Sequence, residues 1–365
     1  MHLKRFLALF AGFFLLYALT AQRGLGWGDS AEFQDWILNR TDWICGPHFS
    51  NAHPLYVALC RLVASTNTGV TLVSAFFGAL AVGGLYLCVR KVALAAVFGL
   101  THMLWWNSCL AEVQTMNLAF TAFETLLLLK FVGGGRWAWF GALVLLNGVH
   151  LEVHNFALLA LPVYAAVFFV RARGRQLGLA VPFAALWALG AWGWLWALGT
   201  RGAADVLVGN YGAKVAGFLP ANFTLTAFNF ALSGLSFFAP LAIWWWGRKD
   251  GRPDAKDGEG AAEYERHKTG WLVALLLINL IFWIRYFVPD QATFLLPTLF
   301  FCYLLVARFE LRRKRVIALM AIQVLLPLMA WQVLSAIPVP DWKTRHGGRN
   351  DAAYFALPWK VGGAR

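Results

Sequence analysis

Charge is what this chain of 365 residues has least of. Asp, Glu, Lys and Arg make up 13% of it and hydrophobic residues 60%, with a mean hydropathy of +0.60. That balance excludes a soluble domain, in which roughly a quarter of the residues carry charge. Long runs without charge point instead to a protein that crosses a membrane many times. Acids are the scarcer sign, 18 against 31 Lys and Arg, for a net charge of +13. Cysteines are few and odd in number: Cys45, Cys60, Cys88, Cys109 and Cys302 have no metal-ligand spacing and leave the redox compartment open. No internal repeat is visible. The one low-complexity stretch, GRKDGRPDAKDGEGAAEYERHK at 247–268, reads as a flexible hydrophilic loop.

What is there in quantity is apolar sequence. A helix needs roughly 20 residues to cross about 30 Å of hydrocarbon. Eleven stretches near that length are found at 3–20, 68–89, 92–109, 111–131, 137–150, 155–170, 177–198, 225–246, 269–287, 292–308 and 316–336. The expected fold is an all-α, polytopic membrane bundle of about eleven spans over 1–336, with a short tail at 337–365. HPLYVALCRLVAS, from His53, is too short to span and carries Arg61, so it reads as an interfacial or re-entrant helix. Lys4 and Arg5 before an apolar core ending in YALTAQ fit an uncleaved anchor. A cleaved signal peptide is the alternative, weakened by Leu19 at a key cleavage position.

Loop charges orient the bundle, because Lys and Arg stay on the cytoplasmic side. With the N-terminus inside, the inner loops collect 20 of the 31 basic residues, while the tail runs against the trend with five on the outside. The net charge then belongs to topology and anionic lipid, and no nucleic-acid partner is expected. In this topology five polar motifs from distant parts of the chain reach the outer face: GDSAEF, NAHPLY, AEVQTMN, GVHLEVHN and RYFVPDQATF. Ionisable groups at membrane depth are costly and usually face a cavity or a partner, so their gathering on one side marks a site.

Each motif also has a plain structural reading. Asp29 and Glu32 fit a helix capping box, and His53 before Pro54 fits a helix start. Glu112 and Asn117 suit a helix end. His150 and His154 lie four apart, a spacing that places both on one helix face, yet they lack the glutamate placement of zinc proteases, so no metal site is assigned. Asp290 after Pro289 suits a turn. Nineteen tryptophans fit interfacial belts.

Taken in order, GDSAEF, HPLY, AEVQTMN, the His-Asn pair of GVHLEVHN and PDQATFLLP resemble the DUF2723 family, membrane proteins related to the protein O-mannosyltransferases and classed with the GT-C glycosyltransferases. The resemblance covers about 20 to 310. The chain departs from the family's pattern at Ala31, where Gly is usual, and in HPLY, which is shorter than the family's motif. The resemblance implies an enzyme that takes a sugar, mannose or another hexose, from a polyprenyl-phosphate carrier and passes it with inversion to a protein or glycan outside the cytoplasm. Lipid-linked donor, acceptor and membrane lipids are then its partners. No cofactor is firmly implied, and the part of a divalent metal is left open. An inverting transfer needs a carboxylate to take the acceptor's proton, and Asp29 matches the family's aspartate in this loop. Glu32 would assist it. The leaving lipid phosphate needs N–H or cationic donors, for which Arg285, His53, His150 and His154 are the candidates. Glu112, Asn117, Asn155, Asp290 and Gln291 are candidates for binding sugar or acceptor. A multi-pass transporter and an inactive carrier-lipid-binding protein of the same fold are the competing classes.

Overall fold

The computed structural model describes residues 2–26, 28–39, 48–49, 52–209, 223–250, 259–286, 291–336 and 355–359. It is an all-α bundle of membrane type, in which every one of the eleven apolar stretches is helical. In chain order the helices are α1 (His2–Thr20), α2 (Asp29–Asn39), α3 (Pro54–Val63), α4 (Asn67–Val89), α5 (Val92–Gly99), α6 (His102–Ser108), α7 (Gln114–Gly134) and α8 (Trp137–Leu151). They continue as α9 (Ala157–Arg171), α10 (Ala180–Gly190), α11 (Trp192–Arg201), α12 (Phe223–Asp250), α13 (Glu259–Arg285), α14 (Leu296–Val306) and α15 (Arg313–Ala336).

Six of these are long and apolar enough to cross a membrane unaided: α1, α4, α7 and parts of α12, α13 and α15. The other stretches are shorter or broken. The one predicted at 92–109 divides into α5 and α6 around Leu100 and Thr101, where Tyr17 donates its hydroxyl proton to the freed Gly99 carbonyl at 2.6 Å. The stretch at 177–198 is bent by 79° between α10 and α11. Local hydropathy measures oiliness, and a break whose polar groups are satisfied by a neighbour leaves no mark on it.

α7 lies at the centre, against α4 on one side and α8 on the other, with α1 on the far side of α4. Small residues let these helices close in, as membrane helices with no hydrophobic force between them require. α8 and α10 touch backbone to backbone: a Cβ at Gly148 would meet the Trp187 carbonyl, and one at Gly190 the Leu145 carbonyl. That contact brings Trp187 within 3.1 Å of Asn147 Oδ1, to which its indole N–H donates. α3 begins on Pro54 and leaves Leu62 and Val63 exposed, while Arg61 donates to the Trp36 carbonyl at 2.9 Å. Residues 355–359 return onto α6, where His102 Nε2 donates to the Phe355 and Ala356 carbonyls and Trp359 packs on Trp105.

Candidate active site

Asp29 opens α2 and is exposed, as is Glu32 one turn on. The Gly28 carbonyl, at a positive φ of 57°, accepts from the N–H groups of Ala31 and Glu32. Gly28 is therefore the capping residue, and Asp29 stands one residue inside the helix, out of register for a capping box with Glu32. Both acids sit in the first turn, where the helix dipole favours negative charge. Next to Asp29, Ser30 donates to Glu112 Oε1 at 3.4 Å. Half-buried Glu112 is pinned by its backbone, its N–H donating to Ser74 Oγ at 3.0 Å and its carbonyl accepting from the same hydroxyl at 2.8 Å. Tyr56, of HPLY, reaches Ser74 as well, at 3.2 Å.

From there the contacts lead to the histidines. Phe33 of α2 packs on Tyr56 and on His53, and His53 stacks on His154 with ring centres 5.0 Å apart. His53 Nδ1 donates to the Val153 carbonyl at 2.7 Å. Burial pushes the His53 ring down to about 4, outweighing that carbonyl's pull in the other direction. His154 is held well below the ordinary histidine value by burial first and then by His53 and His150 nearby. Both rings are neutral at physiological pH, so neither brings a positive charge to a phosphate.

α8 ends at Leu151, so His150 and His154 do not share a helix, contrary to the expectation from their spacing. Glu152 draws the chain aside: it accepts from the Trp194 N–H at 2.8 Å, at the start of α11. Burial raises the Glu152 carboxyl, opposed by the N–H groups of Trp194 and Gly193. The two imidazoles then go separate ways. His150 reaches Glu124 Oε1 through Nδ1 at 2.7 Å and Asn117 through Nε2 at 2.7 Å. His154 meets the Gln114 amide at 3.2 Å and the Phe156 N–H at 3.2 Å. Among the described residues no three His, Cys, Asp or Glu converge as metal ligands.

Asn155 braces the elbow, accepting from Trp194 Nε1 at 2.8 Å and donating to the Val206 carbonyl at 2.9 Å. Beside it, Asp205 accepts from His48 Nδ1 at 2.8 Å and from the Phe49 N–H at 3.1 Å. Those bonds, His48 first, and Arg201 hold its carboxyl below the usual range. Buried Gln291 is tied to α13, its amide donating to the Trp283 carbonyl at 2.7 Å. Asp290 lies outside the described residues. Arg285 is the last residue of α13 and half-exposed. Its neighbours Phe282 and Tyr286 pack on Phe156, and Phe156 packs on His154, so Arg285 belongs to the same end of the bundle.

Glu124 is the residue the sequence reading passed over. It is buried in α7, with its carboxylate accepting from Tyr164 at 2.8 Å, from His150 and from the Asn147 amide at 3.3 Å. Beside it a cleft lined by Asn117, Thr121, His150, Tyr164 and Asn279 has room for about one water. The signal was available: an acid in the middle of TAFETLLLL, inside an apolar run, marks a function or a buried partnership.

Solved structures place this arrangement among known folds. The chain superposes on crystal structures of ArnT from Cupriavidus metallidurans, in the apo state and bound to undecaprenyl phosphate, with TM-scores of 0.58 and 0.57 at 17% identity. The fold is the polytopic GT-C membrane fold. The match covers 92% of this chain and 66% of the ArnT chain, so this sequence spans just under two thirds of the length of that protein. No protein-family model matches the sequence, and no curated protein is similar to it.

Proposed function

We propose that this protein is a membrane glycosyltransferase that takes a sugar from a polyprenyl-phosphate carrier and transfers it, with inversion, to an acceptor on the extracytoplasmic face. The observation that carries the reading is the exposed Asp29 in the first turn of α2, whose neighbour Ser30 bonds to Glu112, on a GT-C fold. The undecaprenyl phosphate bound to ArnT supports a lipid phosphate as the carrier. The finer assignment, to the DUF2723 relatives of the protein O-mannosyltransferases with a hexose such as mannose as cargo, rests on the five motifs in order.

In the reaction the acceptor oxygen attacks the anomeric carbon as the bond from that carbon to the phosphate oxygen breaks. The bonding pair leaves with the phosphate, and the acceptor's proton goes to Asp29. Glu32 and Glu112 accept hydrogen bonds from the sugar hydroxyls and so orient the sugar toward Asp29. Arg285 binds the phosphate as its charge grows, the role a guanidinium fork suits. His53 and His154, neutral and packed together, form part of the wall. The expected hydrophilic loop at 247–268 is helical at both of its ends, up to Asp250 in α12 and from Glu259 in α13. In the proposed topology those two ends face the cytoplasm, and the start of α2 with Asp29 and the end of α13 with Arg285 face outward. A transporter would need polar groups to continue across the bundle, whereas α7 beyond Thr125 continues as Leu126, Leu127, Leu128 and Leu129.

The test is to incubate membranes containing the protein with a panel of polyprenyl-phosphate sugars and to search for glycosylated product by mass spectrometry. Product with the native protein and its loss in Asp29→Asn supports the reading. Full transfer by Asp29→Asn with the same donor and acceptor would remove Asp29 as the base.

A further inference from the structure

A neutral histidine that accepts a hydrogen bond on one ring nitrogen carries its proton on the other. His154 accepts at Nδ1 from the Phe156 N–H. Its proton is therefore on Nε2, and the group within reach there is the side-chain amide of Gln114, at 3.2 Å. A row of short contacts continues inward. The Gln114 and Asn117 amides are 3.2 Å apart, the Asn117 amide is 2.7 Å from His150 Nε2, and His150 Nδ1 is 2.7 Å from Glu124 Oε1.

An amide exchanges its oxygen and nitrogen by a half turn about its last bond, so this row can run with either of two polarities. In the outward polarity His150 Nε2 donates to Asn117 Oδ1, Asn117 Nδ2 to Gln114 Oε1, and Gln114 Nε2 points at His154 Nε2. His154, which accepts from the Phe156 N–H at Nδ1, would then turn its Nε2 proton toward another donor. In the inward polarity every group is satisfied. His154 Nε2 donates to the Gln114 oxygen, the Gln114 nitrogen to the Asn117 oxygen, the Asn117 nitrogen to His150 Nε2, and His150 Nδ1 to Glu124. The Tyr164 hydroxyl and the Asn147 amide complete the carboxylate's partners. In a dry interior each unmade bond is costly, which decides between the two.

We propose that Glu124 is a positioning residue: as the terminal acceptor of this row it holds His150, Asn117 and Gln114 in the inward polarity, and so locks the His154 ring against which His53 stacks at the outer site. It touches no substrate and acts through the row. Its effect on catalysis rests on the transferase reading, whereas the placement of the protons does not.

Histidine ring nitrogens with and without a proton are resolved by their nitrogen-15 shifts, and the chain has only eight histidines to assign. In the native protein in nanodiscs the proton is expected on Nε2 of His154 and on Nδ1 of His150. A proton on Nε2 of His150, or on Nδ1 of His154, would overturn the proposal, and that measurement needs no variant to fold. Glu124→Leu is expected to release His150 from its single tautomer and to lower transfer roughly tenfold, as losing a supporting partner does at other sites. Glu124→Gln keeps an acceptor oxygen for His150 and should retain both tautomers and most of the transfer. An unchanged His150 tautomer or undiminished transfer in folded Glu124→Leu would also overturn it. Native tautomers as expected in a protein that transfers no sugar would sink the transferase reading alone.

Discussion

The acids at the start of α2 and the carboxylate of Glu124 are the same chemical group used in opposite ways. Asp29 and Glu32 are exposed, on a helix turn whose capping is left to Gly28. Glu124 is buried, with its oxygens engaged by residues of α8 and α9. A carboxylate whose acceptor sites are filled by the protein holds helices in register. An exposed one lies where a bound molecule can reach it, which is the place the proposed base needs. Burial, more than residue type, separates the two settings.

The sharpest way to break this contrast is to remove charge and keep shape at both places. Asp29→Asn should lower transfer by roughly 10²- to 10⁴-fold, the range for a lost general base, with no change in thermal unfolding. Glu32→Gln should cost less, and equal losses from the two would make them a joint base. These are read by initial rates with the donor found in the panel.

Next in size is the stability of the buried group. Glu124→Leu leaves the His150 N–H and the Tyr164 hydroxyl without an acceptor, and each buried donor left unsatisfied costs about 1 to 3 kcal/mol. Denaturant unfolding in detergent measures it, and Asp29→Asn, which keeps the shape of the exposed acid, should lose much less than Glu124→Leu. A comparable loss from Asp29→Asn would mean that the exposed acid is structural after all.

Glu152 stands between the two, half-buried and bonded to the start of α11. Glu152→Ala should cost about 1 kcal/mol, as losing a helix-end acceptor does. It should also loosen the elbow at Ala191, seen as faster hydrogen exchange at Trp194.

The smallest effect is at Asp205. Its folded pKa lies below the unfolded value of about 3.9. Its contribution is therefore fully present above that pH and is lost as pH falls through the depressed folded value. The gap in melting temperature between native protein and Asp205→Asn should narrow as pH falls below the unfolded value of about 3.9. A gap that does not narrow at all on acidification below about pH 4 would show that charge at Asp205 is not what tethers His48 and Phe49.

Hydropathy is a property of neighbours in the chain, so the membrane class, the all-α fold and the helical nature of all eleven apolar stretches were determined by the sequence alone. The same holds for the short helix that begins at Pro54, because a proline start and a ten-residue apolar run are both local features. Which of the stretches are continuous spans was decided by tertiary contacts. The break between α5 and α6 depends on Tyr17, 82 residues away, taking the Gly99 carbonyl. The fate of the polar residues was decided in the same way. His150 and His154 share a motif, but Glu124 turns one and Gln114 the other, from 26 and 40 residues away. A polar side chain in an apolar run announces that it needs a partner, and only the packed bundle says which one, because a hydrogen bond is made at about 3 Å and depends on where the chain returns.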